Sequence, residues 1–367
     1  MEIAAYEHGG NLYQAARSKG ANADALLDFS ANINPLGLAP AIKEAICEQL
    51  PMVIHYPDAQ AAALKEAISA YYRVPVEQLI TGNGAVELLY LLCHMLRPER
   101  VVIPAPTFSE YERAAVAAGA TIDYCFLQEE NGFAFDTVSV LKAMTTKSVI
   151  FLGNPNNPTG AMLTRQDVII ILTAAAELDS LVVIDESFID FVDNDDAVTC
   201  RWLAEQYPNL VIVHSLTKFY AIPGLRLGFA IADPQLIRLL HAGKDPWNVN
   251  SLAQAAGVAA LADSEYRQLS RQAVAAAKTG LWQDLQAIAG IKAYPPSVNY
   301  ILLNIAGTGL TAGQLRAHLF KRNVLIRDCS NYPGLSSYFV RTAVKLPEQN
   351  SRLLQALQEI LAGEKYD

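Results

Sequence analysis

The sequence predicts an α/β protein, with a large domain of mostly parallel sheet covered by helices and a smaller α+β domain. Three observations carry this reading. The 367 residues suggest two or three structural units at ~150 residues each. Short β-branched runs alternate with Ala- and Leu-rich stretches of helical spacing through the middle of the chain, the pattern of a sheet buried on both faces. Beyond about Asp245 that alternation gives way to a long helical stretch and separate alternating strands.

Taken in order, residues 1–45 offer no clear strand to the central sheet and read as an N-terminal arm that crosses to the smaller domain. Residues 46–250 form the large domain. Its predicted strands are Val101–Ile103, Ser148–Leu152, Leu181–Ile184 and Leu210–Val213, with helices over Tyr111–Ala118 and Arg165–Leu178. Residues 251–367 form the small domain. There the pattern predicts a long helix from about Ser251 to Ile288, a strand at Ser297–Asn304 and a helix at Thr311–Lys321. Strands near Val324–Arg327 and Tyr338–Ala343 and a closing helix follow.

Composition narrows the function. Hydrophobic residues make up 52% and charged ones 18%, which excludes disorder for most of the chain. With 28 basic and 37 acidic residues the net charge is −9, so nucleic acid is not an expected partner. Five dispersed cysteines (Cys47, Cys93, Cys125, Cys200, Cys329), none in a C-x-x-C pair, speak against a disulfide framework or zinc site and for a reducing compartment. No metal is expected. Glu2 and Glu7 stand where a signal peptide would be basic. Apolar runs such as Val168 to Ala176 fall far short of the ~20 residues a membrane span needs. A cytoplasmic protein without membrane contact is the expectation.

Polar residues gather where strands end, the edge at which open α/β sheets collect ligands. One strand runs into G-N-P-N-N-P-T-G (Gly153–Gly160), the next into Asp185–Glu186, and a third into H-S-L-T-K (His214–Lys218). Singly, these are turns, a helix cap and a solvated lysine. Together at one sheet edge they read as a site. T-G-N-G-A-V-E-L-L-Y-L-L (Thr81–Leu92) adds a Gly-rich turn opening a helix, whose free N–H groups suit a phosphate. It lacks the third glycine of a dinucleotide fingerprint.

The run S-L-T-K-F-Y-A-I-P-G-L-R-L-G-F, preceded by D-E-S-F and N-P-N-N-P-T-G, resembles the fold-type I pyridoxal-phosphate enzymes of the aminotransferase class I/II group. The N-terminal H-G-G-N (His8–Asn11) and D-F-S-A-N-I-N-P-L-G (Asp28–Gly37) are similar to the branch of that group holding the threonine-phosphate decarboxylases of cobalamin biosynthesis and the related histidinol-phosphate aminotransferases. The resemblance implies pyridoxal 5'-phosphate as cofactor, bound covalently to Lys218, with Asp185 paired to its ring nitrogen. It implies that Asn157 bonds the ring hydroxyl oxygen and Phe108 covers the ring face. Gly84 and Ala85 N–H groups, Ser215, Thr217 and Arg226 would grip the cofactor phosphate, and Tyr56 would reach it from the neighbouring subunit of a homodimer.

On the substrate side the resemblance points to Arg327 and Arg341, with His8, the Gly9 backbone, Asn32 and Asn157 adding contacts, for a small phosphorylated amino acid. It implies decarboxylation of O-phospho-L-threonine, a carboxy-lyase activity; the alternative is transamination of histidinol phosphate with 2-oxoglutarate. A ligand-sensing module or a catalytically dead binder is a third possibility, disfavoured by the presence of both Lys218 and Asp185. One departure stands out: related aminotransferases usually carry Tyr at position 188, where this chain has Phe188. A phenyl ring cannot donate a hydrogen bond to the ring hydroxyl oxygen, so the lysine–coenzyme linkage should titrate at higher pH.

Overall fold

The computed structural model describes residues 8–20 and 22–363. Its centre is a seven-stranded sheet in the order Leu79–Gly82, Gly228–Ile231, Leu210–Ser215, Leu181–Asp185, Val149–Gly153, Arg100–Ala105, Thr121–Phe126. Only Gly228–Ile231 runs against the rest. Because side chains alternate along a strand, each strand feeds two cores. Val101, Phe151, Val183 and Val213 point to one face, which the helices Ala85–Leu96, Glu110–Ala117 and Pro234–Gly243 cover. Val102, Ile150, Ile184 and Ile212 point to the other, under Ala62–Tyr72 and Arg165–Glu177. The central strands are therefore apolar on both faces along most of their length, as a doubly covered sheet requires.

A second, antiparallel sheet of four strands runs Arg327–Asp328, Phe339–Ala343, Tyr300–Asn304, Lys292–Ala293. Helices Ala312–Lys321 and Pro347–Leu361 close its own apolar core. Leu27–Asp28 pairs in parallel with Val324–Leu325, and the Ala343 N–H donates to the Phe29 carbonyl at 2.8 Å. The N-terminal segment is thus fastened to the smaller sheet.

The long helix expected from Ser251 to Ile288 is two helices, Ser251–Ala262 and Ser264–Gln286. Asp263 between them caps the second, its carboxylate accepting from the Tyr266 N–H at 2.8 Å. The first packs Ala253, Ala256 and Ala260 into the large core, and the second divides, with Tyr266 and Val274 in the large core and Ala277, Leu281 and Leu285 in the small one. The chain therefore passes between cores inside Ser264–Gln286, later than the expected break at 250. Composition cannot show this, because alanine-rich helices look alike whichever core they serve.

Among the described residues no helix is long and apolar enough to cross a membrane.

Candidate active site

A cavity of about 480 Å³ opens at the strand ends of the large sheet and is walled on its far side by the small one. Thirteen of the residues singled out in the sequence line it: His8, Gly9, Asn32, Ala85, Phe108, Asn157, Asp185, Ser215, Thr217, Lys218, Arg226, Arg327 and Arg341.

Lys218 lies just past the end of Leu210–Ser215, in the short helix Leu216–Phe219. Its backbone carbonyl accepts from the Asn34 N–H at 3.0 Å, and the Asn34 amide donates to Phe219 O at 2.7 Å, so the N-terminal segment braces the lysine turn. Burial, reinforced by repulsion from Arg226 and Arg341, lowers the Lys218 amine to about 8. Asp185 ends the neighbouring strand. Its carboxylate accepts from the Ser187 N–H at 2.9 Å and from the buried Tyr111 hydroxyl at 2.9 Å. The acid thus caps a turn and also faces the cavity, held in one orientation.

An anion cradle sits beside the lysine. The hydroxyls of Ser215 and Thr217 lie 2.8 Å apart. Gly84, at φ 82° and ψ 160°, precedes the helix Ala85–Leu96, and a Cβ there would stand 2.2 Å from Arg226 Nη2. Only glycine serves this position, since the backbone region excludes side chains and the guanidinium occupies their space. The cradle therefore joins a helix N-terminus, two hydroxyls and an arginine fork.

The opposite end belongs to the small sheet. Arg327 and Arg341 are directly opposed register partners on adjacent strands, and both are buried. Arg341 donates to Asn157 Oδ1 and, at 2.8 Å, to the Ser30 carbonyl, with its guanidinium 5.5 Å from the Tyr300 ring centre. Arg327 donates to Asn331 Oδ1 at 2.9 Å and lies 5.2 Å from the Tyr332 ring centre. The Nε of each is buried without a hydrogen-bond partner among the described residues, as is Asn32 Oδ1. Two like charges facing each other across a ladder are destabilising on their own, and buried unpaired donors are costly. An anion between them satisfies both.

Several lining residues escaped the sequence reading. The helix expected over Tyr111–Ala118 begins at Glu110, and Glu110 and Tyr111, following the strand Arg100–Ala105, stand at the same sheet edge. Glu110 is buried and accepts from His8 Nε2 at 2.8 Å, Arg113 Nη1 at 2.7 Å and the Tyr90 hydroxyl at 3.1 Å. Burial pushes its carboxyl up, but His8 and Arg113 outweigh that and hold it below the usual range. Ser187, Arg113 and Tyr332 also line the cavity, as does Phe188, the departure seen in the sequence. Tyr56 is outside this cavity: its ring is exposed and stacks on Trp247 at 4.4 Å.

The model of the aminotransferase class I and II family matches residues 24–357. The chain belongs to that family. It is 37% identical to threonine-phosphate decarboxylase of Salmonella typhimurium, over 97% of each chain. It is 31% identical to a histidinol-phosphate aminotransferase of Methanococcus aeolicus, over 98% of this chain and 96% of that one. Among solved structures, L-threonine-O-3-phosphate decarboxylase from Porphyromonas gingivalis superposes with a TM-score of 0.81 at 27% identity, covering 91% of this chain and 99% of that one.

Pyridoxal 5'-phosphate is the coenzyme of this family, and the cavity fits it. The glycine that makes room for Arg226 beside two hydroxyls suits its phosphate, the amine of Lys218 suits its aldehyde, and the braced carboxylate of Asp185 suits a protonated ring nitrogen. Phe108, whose ring meets Tyr111 edge-on at 5.6 Å, supplies an apolar wall.

Proposed function

We propose that this chain is a carboxy-lyase that converts O-phospho-L-threonine to (R)-1-amino-2-propanol O-phosphate and CO₂, for the nucleotide loop of cobalamin. The observation that carries the reading is the buried, directly opposed pair Arg327 and Arg341, whose unpaired Nε donors call for a dianionic group at the small-sheet end of the cavity. A substrate phosphate of about −1.5 to −2 charge supplies it. Full-length likeness to a threonine-phosphate decarboxylase at 37% identity, against 31% for the aminotransferase, favours that substrate over histidinol phosphate.

The coenzyme, when bound, supplies an electron sink for whichever bond on the substrate α-carbon stands perpendicular to its ring. The chain's part is to choose that bond. Arg327 and Arg341, with Asn32, the Gly9 backbone and His8, would hold the substrate phosphate at one end of the cavity and so fix the direction in which the rest of the substrate lies. Asn157, held by Arg341, would donate to the ring hydroxyl oxygen of the coenzyme. Asp185 keeps the ring nitrogen protonated by its adjacent charge. Lys218 would hold the coenzyme through its amine, and that amine would return a proton to the substrate α-carbon. Phe108 would cover the ring from the apolar wall of the cavity.

Tyr56, exposed on its own protomer, is assigned to the coenzyme phosphate of a partner in a homodimer, and the protein to the cytoplasm. A product panel tests the function. Phosphothreonine alone should yield CO₂ and the phosphorylated amine by mass detection, with no need for 2-oxoglutarate. Amine exchange between histidinol phosphate and 2-oxoglutarate, without CO₂ from phosphothreonine, would replace the reading with transamination.

A further inference from the structure

We infer that Glu110 is a positioning residue that latches the His8–Gly10 segment across the cavity mouth and so places His8 against the substrate phosphate. The inference deepens the proposed function and rests on its assignment of the phosphate to this end of the cavity. Glu110 belongs to the large unit, at the start of Glu110–Ala117. His8 reaches it from the N-terminal segment, which is fastened to the small sheet through Leu27–Asp28 and Phe29. One carboxylate therefore ties the two halves of the molecule together over the site.

The geometry is that of an anchor rather than a chance surface pair. Glu110 is 5% exposed, and its Oε1 takes both His8 Nε2 and Arg113 Nη1, while Oε2 takes the Tyr90 hydroxyl. Arg113 Nη1 and His8 Nε2 lie only 3.3 Å apart. Glu110 Oε1 is the atom that both groups share, so the carboxylate fixes His8 and Arg113 relative to each other.

The segment is shaped for this path. A Cβ on Gly9 would stand 2.1 Å from the Ser30 carbonyl oxygen, so only glycine passes so close. The Gly10 N–H donates to Ser30 Oγ at 2.8 Å, and Ser30 Oγ donates to Asp28 Oδ1 at 2.6 Å. The Ser30 carbonyl is also the acceptor for Arg341. The latch thus shares a residue with the arginine pair, and closing the segment sets both sides of the phosphate pocket.

The test uses holoenzyme carrying Glu110→Gln, His8→Ala or both. Loss of a hydrogen bond between charged groups changes affinity on the order of tenfold to a hundredfold. Glu110→Gln should raise the KM for phosphothreonine by that order, with kcat within about threefold. His8→Ala lies outside the packed core and should show the same split. The double variant should be no worse than His8→Ala, because both remove one interaction. A kcat loss with KM unchanged, or losses that multiply, would overturn the inference. Hydrogen–deuterium exchange of the segment containing Gly10, without substrate, reads the latch whatever the reaction proves to be. Faster exchange in Glu110→Gln supports it, even if phosphothreonine is not turned over; wild-type exchange contradicts it.

Discussion

Replacing Gly84 by alanine separates two costs that the structure assigns to different places. The backbone there, φ 82° and ψ 160°, lies in a region essentially restricted to glycine, and holding alanine in it costs about 1–3 kcal/mol of stability. The added Cβ also stands 2.2 Å from Nη2 and 2.8 Å from Cζ of Arg226. A guanidinium is the free end of a flexible side chain, so it swings away and the protein still folds. What should be lost is the grip proposed for Arg226 on the coenzyme phosphate, a charge-assisted bond of about 1.5–3 kcal/mol, or ~10- to 150-fold in Kd. Gly119 supplies the control, since it has φ 89° and nothing within 4 Å of an added Cβ. Apoprotein of each variant is titrated with pyridoxal 5'-phosphate and followed by absorbance, alongside thermal unfolding. Both variants should lose stability, and Gly84→Ala alone should lose coenzyme affinity. A folded Gly84→Ala protein binding within threefold of wild type would refute the reasoning.

Three further outcomes follow. The Lys218 amine, lowered by burial to about 8, is protonated below that pH and neutral above it, so the rate of coenzyme capture by apoprotein should rise with a midpoint near pH 8; a midpoint near 10 would contradict the burial argument. Phe188→Tyr places a hydroxyl where the resemblance puts a donor to the ring hydroxyl oxygen, so the absorbance titration of bound coenzyme should move to lower pH, and no movement would refute that role. Arg327→Lys keeps the charge but loses the planar fork, so the KM for phosphothreonine should rise on the order of tenfold or more with coenzyme affinity unchanged; loss of coenzyme instead would mean the two anion sites are reversed.

Much of the site is written locally. Lys218, Asp185 and Asn157 each lie on or just beyond a strand that its own β-branched run announces, so their sharing of one edge follows from the sheet. Tyr111 was hidden because a tyrosine at the head of an amphipathic helix has the pattern of core, and only the folded chain turns its hydroxyl to Asp185. Glu110 was hidden for a related reason: its partner His8 is 102 positions away in sequence and meets it only through the return of the N-terminal segment. The opposed arginines were visible singly, but their register is a property of strand pairing that no local pattern encodes. The strands Leu79–Gly82 and Gly228–Ile231 escaped because glycine at their ends weakens the strand signal where the phosphate cradle needs close approach.

The proposed chemistry needs the coenzyme joined to the chain at one lysine, and borohydride reduction of the holoenzyme followed by peptide mass analysis tests this most directly. The result predicted is a single peptide bearing the reduced coenzyme on Lys218, absent from Lys218→Ala protein. Protein that stays colourless after soaking in excess coenzyme and gives no modified peptide would contradict it.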